Sequence, residues 1–145
     1  MLERFARIAT AEGPMETFLT RPERAGPHPL VIVYMDVWGL REELFDIARR
    51  IAVVGYACAV PDFYHRQGRV RNAFRDAGGR MISVERLTEA QKEVIRMPLR
   101  KLTDAMVTAD TGALLDALAA DTAIGAGTVG AIGYCMGGRH ALRAA

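Results

Sequence analysis

A chain of 145 residues is long enough for one hydrophobic core, which would bury roughly two-thirds of the surface exposed by the unfolded form, so residues 1–145 are read as one domain. Half of the residues are apolar, 25% are charged and the net charge is +2, a balance that excludes a disordered chain and gives no basic stripe for a nucleic-acid partner. Met1-Leu2-Glu3-Arg4-Phe5-Ala6-Arg7 carries charges where a secretory leader has an apolar stretch, and no apolar run reaches membrane-spanning length; no membrane partner is expected and the setting is read as cytoplasmic.

In chain order, residues 4–10 and 15–21 read as two strands of a hairpin joined at Ala11-Glu12-Gly13-Pro14, where Gly supplies unusual dihedrals and Pro fixes φ. A Pro- and Gly-rich connector over 22–29 follows, with His28 between two prolines and expected to be solvated. Leu30-Val31-Ile32-Val33-Tyr34-Met35 is an unbroken apolar run of strand length, the pattern of a parallel strand buried on both faces. The period then changes: Leu44, Ile47, Ala48 and Ile51 recur at three- and four-residue spacing, and Gly55 stands where a helix takes its left-handed cap. A crossover helix over 41–54 and a short strand over 56–60 complete a βαβ unit, whose crossover is right-handed.

Residues 63–98 are irregular and polar, broken by Gly68 and Gly78-Gly79, with one helix expected over 84–97 and ended by Pro98. Excursions of this size often form lids or binding loops. Arg66, Arg69, Arg71, Arg75, Arg80 and Arg86 cluster here and are read as a solvated loop rather than an anion-binding rim. Leu102, Met106, Ala109, Ala113 and Leu118 mark a long helix; a loop over 121–127 and a last strand over 128–134 follow. The fold expected from these elements is α/β.

That last strand runs into Gly133-Tyr134-Cys135-Met136-Gly137-Gly138, a Gly-x-Cys-x-Gly sequence opening a short helix. A nucleophile elbow has this form: the reactive residue sits on a strained turn, and glycines two positions to either side let backbone pass without a Cβ clash. The helix behind it aims its free N–H groups and the positive end of its dipole at the sulfur. The alternative reading of Cys135 is a buried structural thiol, as Cys58, between Ala57 and Ala59, is expected to be. The two cysteines lie far apart, so neither a disulfide nor a metal site is expected.

Three blocks in this order resemble the dienelactone hydrolase family, the cysteine branch of the α/β-hydrolase superfamily: residues 31–40 (VIVYMDVWGL), Gly55-Tyr56-Ala57 with residues 61–66 (PDFYHR), and residues 130–138 (GAIGYCMGG). The resemblance covers essentially the whole chain. It implies the N-terminal portion of a three-layer α/β-hydrolase-like sandwich, a hairpin plus about three parallel core strands with crossover helices. It also implies hydrolysis of small carboxylic esters or enol-lactones with no metal or organic cofactor. Carried over by position, Cys135 is the nucleophile, Asp36 its acidic partner, and the backbone N–H groups of Met136 and Val37 the oxyanion hole. Trp38 and Tyr64 would wall the substrate pocket, and Arg80 or Arg86 would bind a substrate carboxylate.

Two departures accompany the resemblance. The family commonly has glutamate where this chain has Asp36, and losing a methylene shortens its reach by about one C–C bond. The family's Asp and His lie downstream of the elbow, so the chain is expected to be truncated after it and impaired in deacylation. His65 is expected to be structural and His140, five residues beyond Cys135, to point away from the thiol. Asp36 could alternatively hold a turn before the helix over 41–54. The elbow strand is expected at an open sheet edge, through which the chain would self-associate. The reading from another class is a non-enzymatic α/β-hydrolase-like interaction protein that binds a partner there.

Overall fold

The computed structural model describes residues 1–72 and 74–145. Its hairpin pairs β1 (Leu2–Thr10) with β2 (Gly13–Arg21) in antiparallel register from Leu2↔Arg21 to Thr10↔Gly13. The connection is tighter than the expected four residues: only Ala11 and Glu12 lie outside the strands. Gly13, at φ 114°, takes a backbone conformation that a side chain would strain. Thr10 Oγ1 closes the turn by accepting from Glu12 N–H and donating to the Gly13 carbonyl.

The apolar runs form β3 (Leu30–Tyr34) and β4 (Ala57–Pro61), and β5 (Gly130–Gly133) is the elbow strand. Strand order is β1-β2-β4-β3-β5, with β2 antiparallel to β4 and both β4 and β5 parallel to β3. Register divides the core between two faces. Leu19, Ala59, Ile32 and Ala131 are aligned partners across four strands and share one face; Phe18 and Val60, one residue along, share the other. Helix α1 (Glu42–Val53) covers the second face with Leu44, Ala48 and Ala52 buried, and its Phe45 ring lies 4.4 Å from that of Phe18. Gly55, at φ 116°, caps this helix as expected. Cys58 is buried as expected, and burial pushes its thiol up to about 12.

Helices α3 (Asp104–Leu118) and α4 (Met136–Ala144) cover the first face, and the buried Tyr34 hydroxyl reaches Thr111 Oγ1 on α3 at 3.1 Å. The outer edge of β5 has no strand partner among the described residues, as the strand order expected for this fold requires.

The segment over 63–101 differs from expectation. Val84–Arg86 is a single 3₁₀ turn, and the helix, α2 (Glu89–Lys101), starts five residues later and runs through Pro98. Thr88 sets the start by forming a reciprocal cap with Gln91. Pro98 is tolerated one turn from the end: it forfeits one N–H bond, is buried, and its carbonyl accepts from Gln67 Nε2 at 3.0 Å. The arginines divide: Arg69, Arg75, Arg80 and Arg86 are exposed as expected, whereas Arg66 and Arg71 are partly buried in ion pairs. Arg66 forks onto the buried Asp110 at 2.6 and 2.8 Å, Arg71 bridges Asp62 and Glu16, and Arg75 reaches Glu43. His28 is also buried, contrary to expectation, because the connector zips onto the loop before β5: its N–H donates to Ala123 O and its carbonyl accepts from Gly125 N–H.

Gly112, exposed and inside α3, has open space where a Cβ would project. Gly112→Ala is expected to stabilise the chain by about 0.5–1 kcal/mol in urea denaturation, since alanine loses less backbone entropy on entering the helix.

Candidate active site

The elbow is built by close backbone contacts. Cys135 has φ 54° and ψ −121°, the one non-glycine positive φ among the described residues, a conformation that costs about 1–3 kcal/mol and persists only where surroundings impose it. Those surroundings are glycines. A Cβ on Gly133 would lie 2.3 Å from the carbonyl carbon and oxygen of Gly137, and one on Gly137 would lie 2.4 Å from Tyr34 O and 2.7 Å from Met35 O. The start of α4 therefore rests directly on the carboxyl end of β3. Gly137 N–H donates to Tyr134 O at 2.9 Å, closing the turn and leaving Cys135 exposed at its tip.

The same contact brings together the two expected oxyanion-hole residues. Val37 follows β3 and Met136 opens α4, and a third side chain touches both: the Tyr64 hydroxyl lies 3.3 Å from Val37 O and 3.8 Å from Met136 Sδ. Neither the Val37 N–H nor the Met136 N–H has a hydrogen-bond partner among the described residues.

Asp36 requires a correction. Its carboxylate takes a two-pronged bond from Arg41, Nη1 to Oδ1 and Nη2 to Oδ2, both at 2.7 Å, and Oδ1 also accepts from Trp38 N–H at 3.0 Å. It makes no hydrogen bond to Cys135. The short aspartate folds back onto its own turn, and the first guanidinium after the strand captures it, so the turn-holding alternative prevails. The pair was readable as an acid five residues before an arginine across a strand-to-helix turn.

The other candidates divide. Trp38 is half-buried, with its ring edge-on to Phe74 at 6.3 Å. Tyr64 has no exposed surface and cannot wall a pocket. Arg80 projects into solvent with 86% of its side chain exposed and pairs with Asp76, and Arg86 is exposed on its 3₁₀ turn; neither bonds to the elbow. His65 is structural as expected, with Nε2 3.2 Å from Asp110 Oδ2. His140 points away from Cys135 toward Asp104, and its pKa is lowered by burial and then by the neighbouring Arg139. That Asp104 carboxylate also receives Arg139 and Arg143, tying α3 to α4. Among the described residues, Cys135 has no histidine partner, and no cluster of three or more His, Cys, Asp or Glu side chains is arranged to hold a metal. A cavity of about 680 Å³ between residues 63–72 and α2 is lined by Phe63, Met97 and Met106 among others and includes no residue of the elbow.

The family model that describes the dienelactone hydrolase family matches residues 15–145. The chain belongs to that family. A dienelactone hydrolase from Klebsiella pneumoniae, so named provisionally, superposes with a TM-score of 0.79 at 28% identity over 99% of this chain and 53% of its own. A protein from Methylorubrum extorquens, provisionally named a carboxymethylenebutenolidase, is 27% identical over 92% of this chain and 40% of its own length. One of the same provisional name from Escherichia coli K12 is 37% identical over 44% of this chain. A dienelactone hydrolase from Anabaena variabilis, at 18% identity and a TM-score of 0.63, shares the fold. The chain thus has the α/β-hydrolase fold and spans about half the length of the solved structures that it matches, or less.

Two substitutions test the site. Gly137→Ala is expected to destabilise the chain by about 3 kcal/mol, read as a lowered denaturation midpoint, because the clashing atoms are backbone oxygens. Asp36→Ala is expected to cost about 2 kcal/mol by stranding Arg41, yet to leave the rate of Cys135 alkylation by iodoacetamide within about 2-fold. A tenfold slower alkylation would instead restore Asp36 as partner of the thiol.

Proposed function

We propose that the chain carries the acylation half of a thiol-dependent hydrolase acting on small carboxylic esters or enol-lactones. The observation that carries this reading is the strained, exposed Cys135 beside the unengaged N–H groups of Val37 and Met136. Family membership supports the reaction class. In the proposed step the thiolate sulfur bonds to the ester carbonyl carbon, and the carbonyl electron pair moves onto oxygen, where the two N–H groups receive it. Collapse of that intermediate breaks the carbon–oxygen bond, and the enolate or alkoxide leaves and takes a proton from solvent. Water then adds to the thioester, the carbon–sulfur bond breaks, and a carboxylic acid and the free thiol result.

That second step needs a base to deprotonate water. Since Cys135 has no histidine partner among the described residues, slow deacylation is part of the proposal. No step is assigned to a metal or an organic cofactor. A free nucleophilic thiol works in a reducing compartment, and the cytoplasm is proposed on that ground. Among the described residues, no helix is long and apolar enough to cross a membrane. One observation favours a second reading: the unpaired outer edge of β5 offers backbone donors and acceptors to a partner strand or a second copy, as an interaction protein would.

Rapid mixing with p-nitrophenyl acetate tests the first reading. The expected outcome is a burst of about one equivalent of p-nitrophenol per chain followed by slow turnover, with no burst from Cys135→Ala. No burst from folded wild-type chain would leave the binding reading in its place.

A further inference from the structure

Tyr64 is wholly buried, and its hydroxyl lies against two segments beside the elbow, at Val37 and at Met136. Its own N–H is fixed by Asp62 Oδ1 at 3.1 Å, and its ring stacks beneath the 36–39 turn, where a Cβ on Gly39 would lie 3.6 Å from Cδ2. The hydroxyl donates to Val37 O at 3.3 Å. That carbonyl belongs to the Val37–Trp38 peptide, whose N–H at the opposite corner donates to Asp36 Oδ1. Both polar groups of one peptide unit are therefore held, one by Tyr64 and one by Asp36. The N–H left without a partner is that of Val37, immediately upstream.

We infer that Tyr64 is a positioning residue for the oxyanion hole: its hydroxyl locks the Val37–Trp38 peptide and bears on the Met136 side chain, so that one buried group holds the two donor segments in register. The inference rests on the acyl-transfer reading. These segments come from different parts of the chain, the end of β3 and the start of α4, and no backbone hydrogen bond joins Val37 to Met136 among the described residues. A donor must sit within a few tenths of an ångström of where the oxyanion forms, and misplacement by about 1 Å can cost on the order of 100-fold in rate. A phenol suits this task because it stays a donor: burial first, then the charges of Asp36, Asp62 and Cys135, push its pKa upward, so it keeps its proton at working pH.

Tyr64→Phe keeps the ring and removes the hydroxyl. Two reactions of the same sulfur separate positioning from structure: acylation by p-nitrophenyl acetate builds an oxyanion, whereas alkylation by iodoacetamide displaces iodide and builds none. The expected result is an acylation rate constant about 10-fold lower, with the half-saturating ester concentration and the alkylation rate each within about 2-fold of wild type. Parallel losses in both reactions, or no loss in either, would overturn the inference. So would a Tyr64→Phe chain that does not fold, since the hydroxyl would then be a requirement of the core. Absence of a burst in wild type would overturn the acyl-transfer reading itself, which distinguishes that failure from the failure of Tyr64 alone.

Discussion

Helix α4 begins where a residue has no room for a side chain, against the carbonyl oxygens of Tyr34 and Met35, and most of the site depends on this contact. It places the first turn of α4 on the carboxyl end of β3 at backbone distance. The helix terminus and the turn at 36–39 thereby become neighbours, although about a hundred residues separate them in sequence. It also leaves Cys135 little choice of conformation: with Gly133 pressed against Gly137 and Gly137 against β3, the chain can pass from strand to helix only through a positive φ. The strain is borne by the packing of α4, not by any interaction of the sulfur.

Around this contact the polar groups follow one rule. A partly buried carboxylate is met by a guanidinium, whose planar fork satisfies two oxygens at once. Arg41 does this for Asp36 and Arg66 for Asp110, while Arg71 bridges Asp62 and Glu16. Each pair closes a turn or joins elements distant in sequence. Burial still raises the Asp62 pKa despite Arg71, so compensation there is incomplete. Arg66 and Arg71 are thus part of the framework, while Arg69, Arg80 and Arg86 stay exposed.

Much of the framework was legible in the sequence, for definable reasons. Apolar runs of strand length at 30–35 and 56–60 mark strands buried on two faces, and the three- and four-residue period after Arg41 marks α1, because burial imposes both patterns. The elbow was legible because its glycines answer a steric demand within six residues. Polar pairing was less legible, since a carboxylate's partner depends on where a turn aims it: Asp36 turned back to Arg41 rather than forward to Cys135. His28 looked solvated because local composition does not reveal that the 121–127 loop packs over it. Pro98 looked like a terminus because its penalty is local, whereas the Gln67 bond and burial that offset it are tertiary. The part played by Tyr64 hangs on two contacts across 27 and 72 positions, beyond the reach of any spacing argument.

The elbow strand is also the outermost strand of the sheet. Among the described residues, Cys135 is flanked by the turn after β3 and the first turn of α4, both on the β3 side of its strand. A strand laid parallel along the free side of β5 would run about 4.8 Å away, and its carboxyl end would come level with the sulfur. By sheet geometry alone, a parallel segment that satisfied this open edge would also bring its following loop beside the thiol.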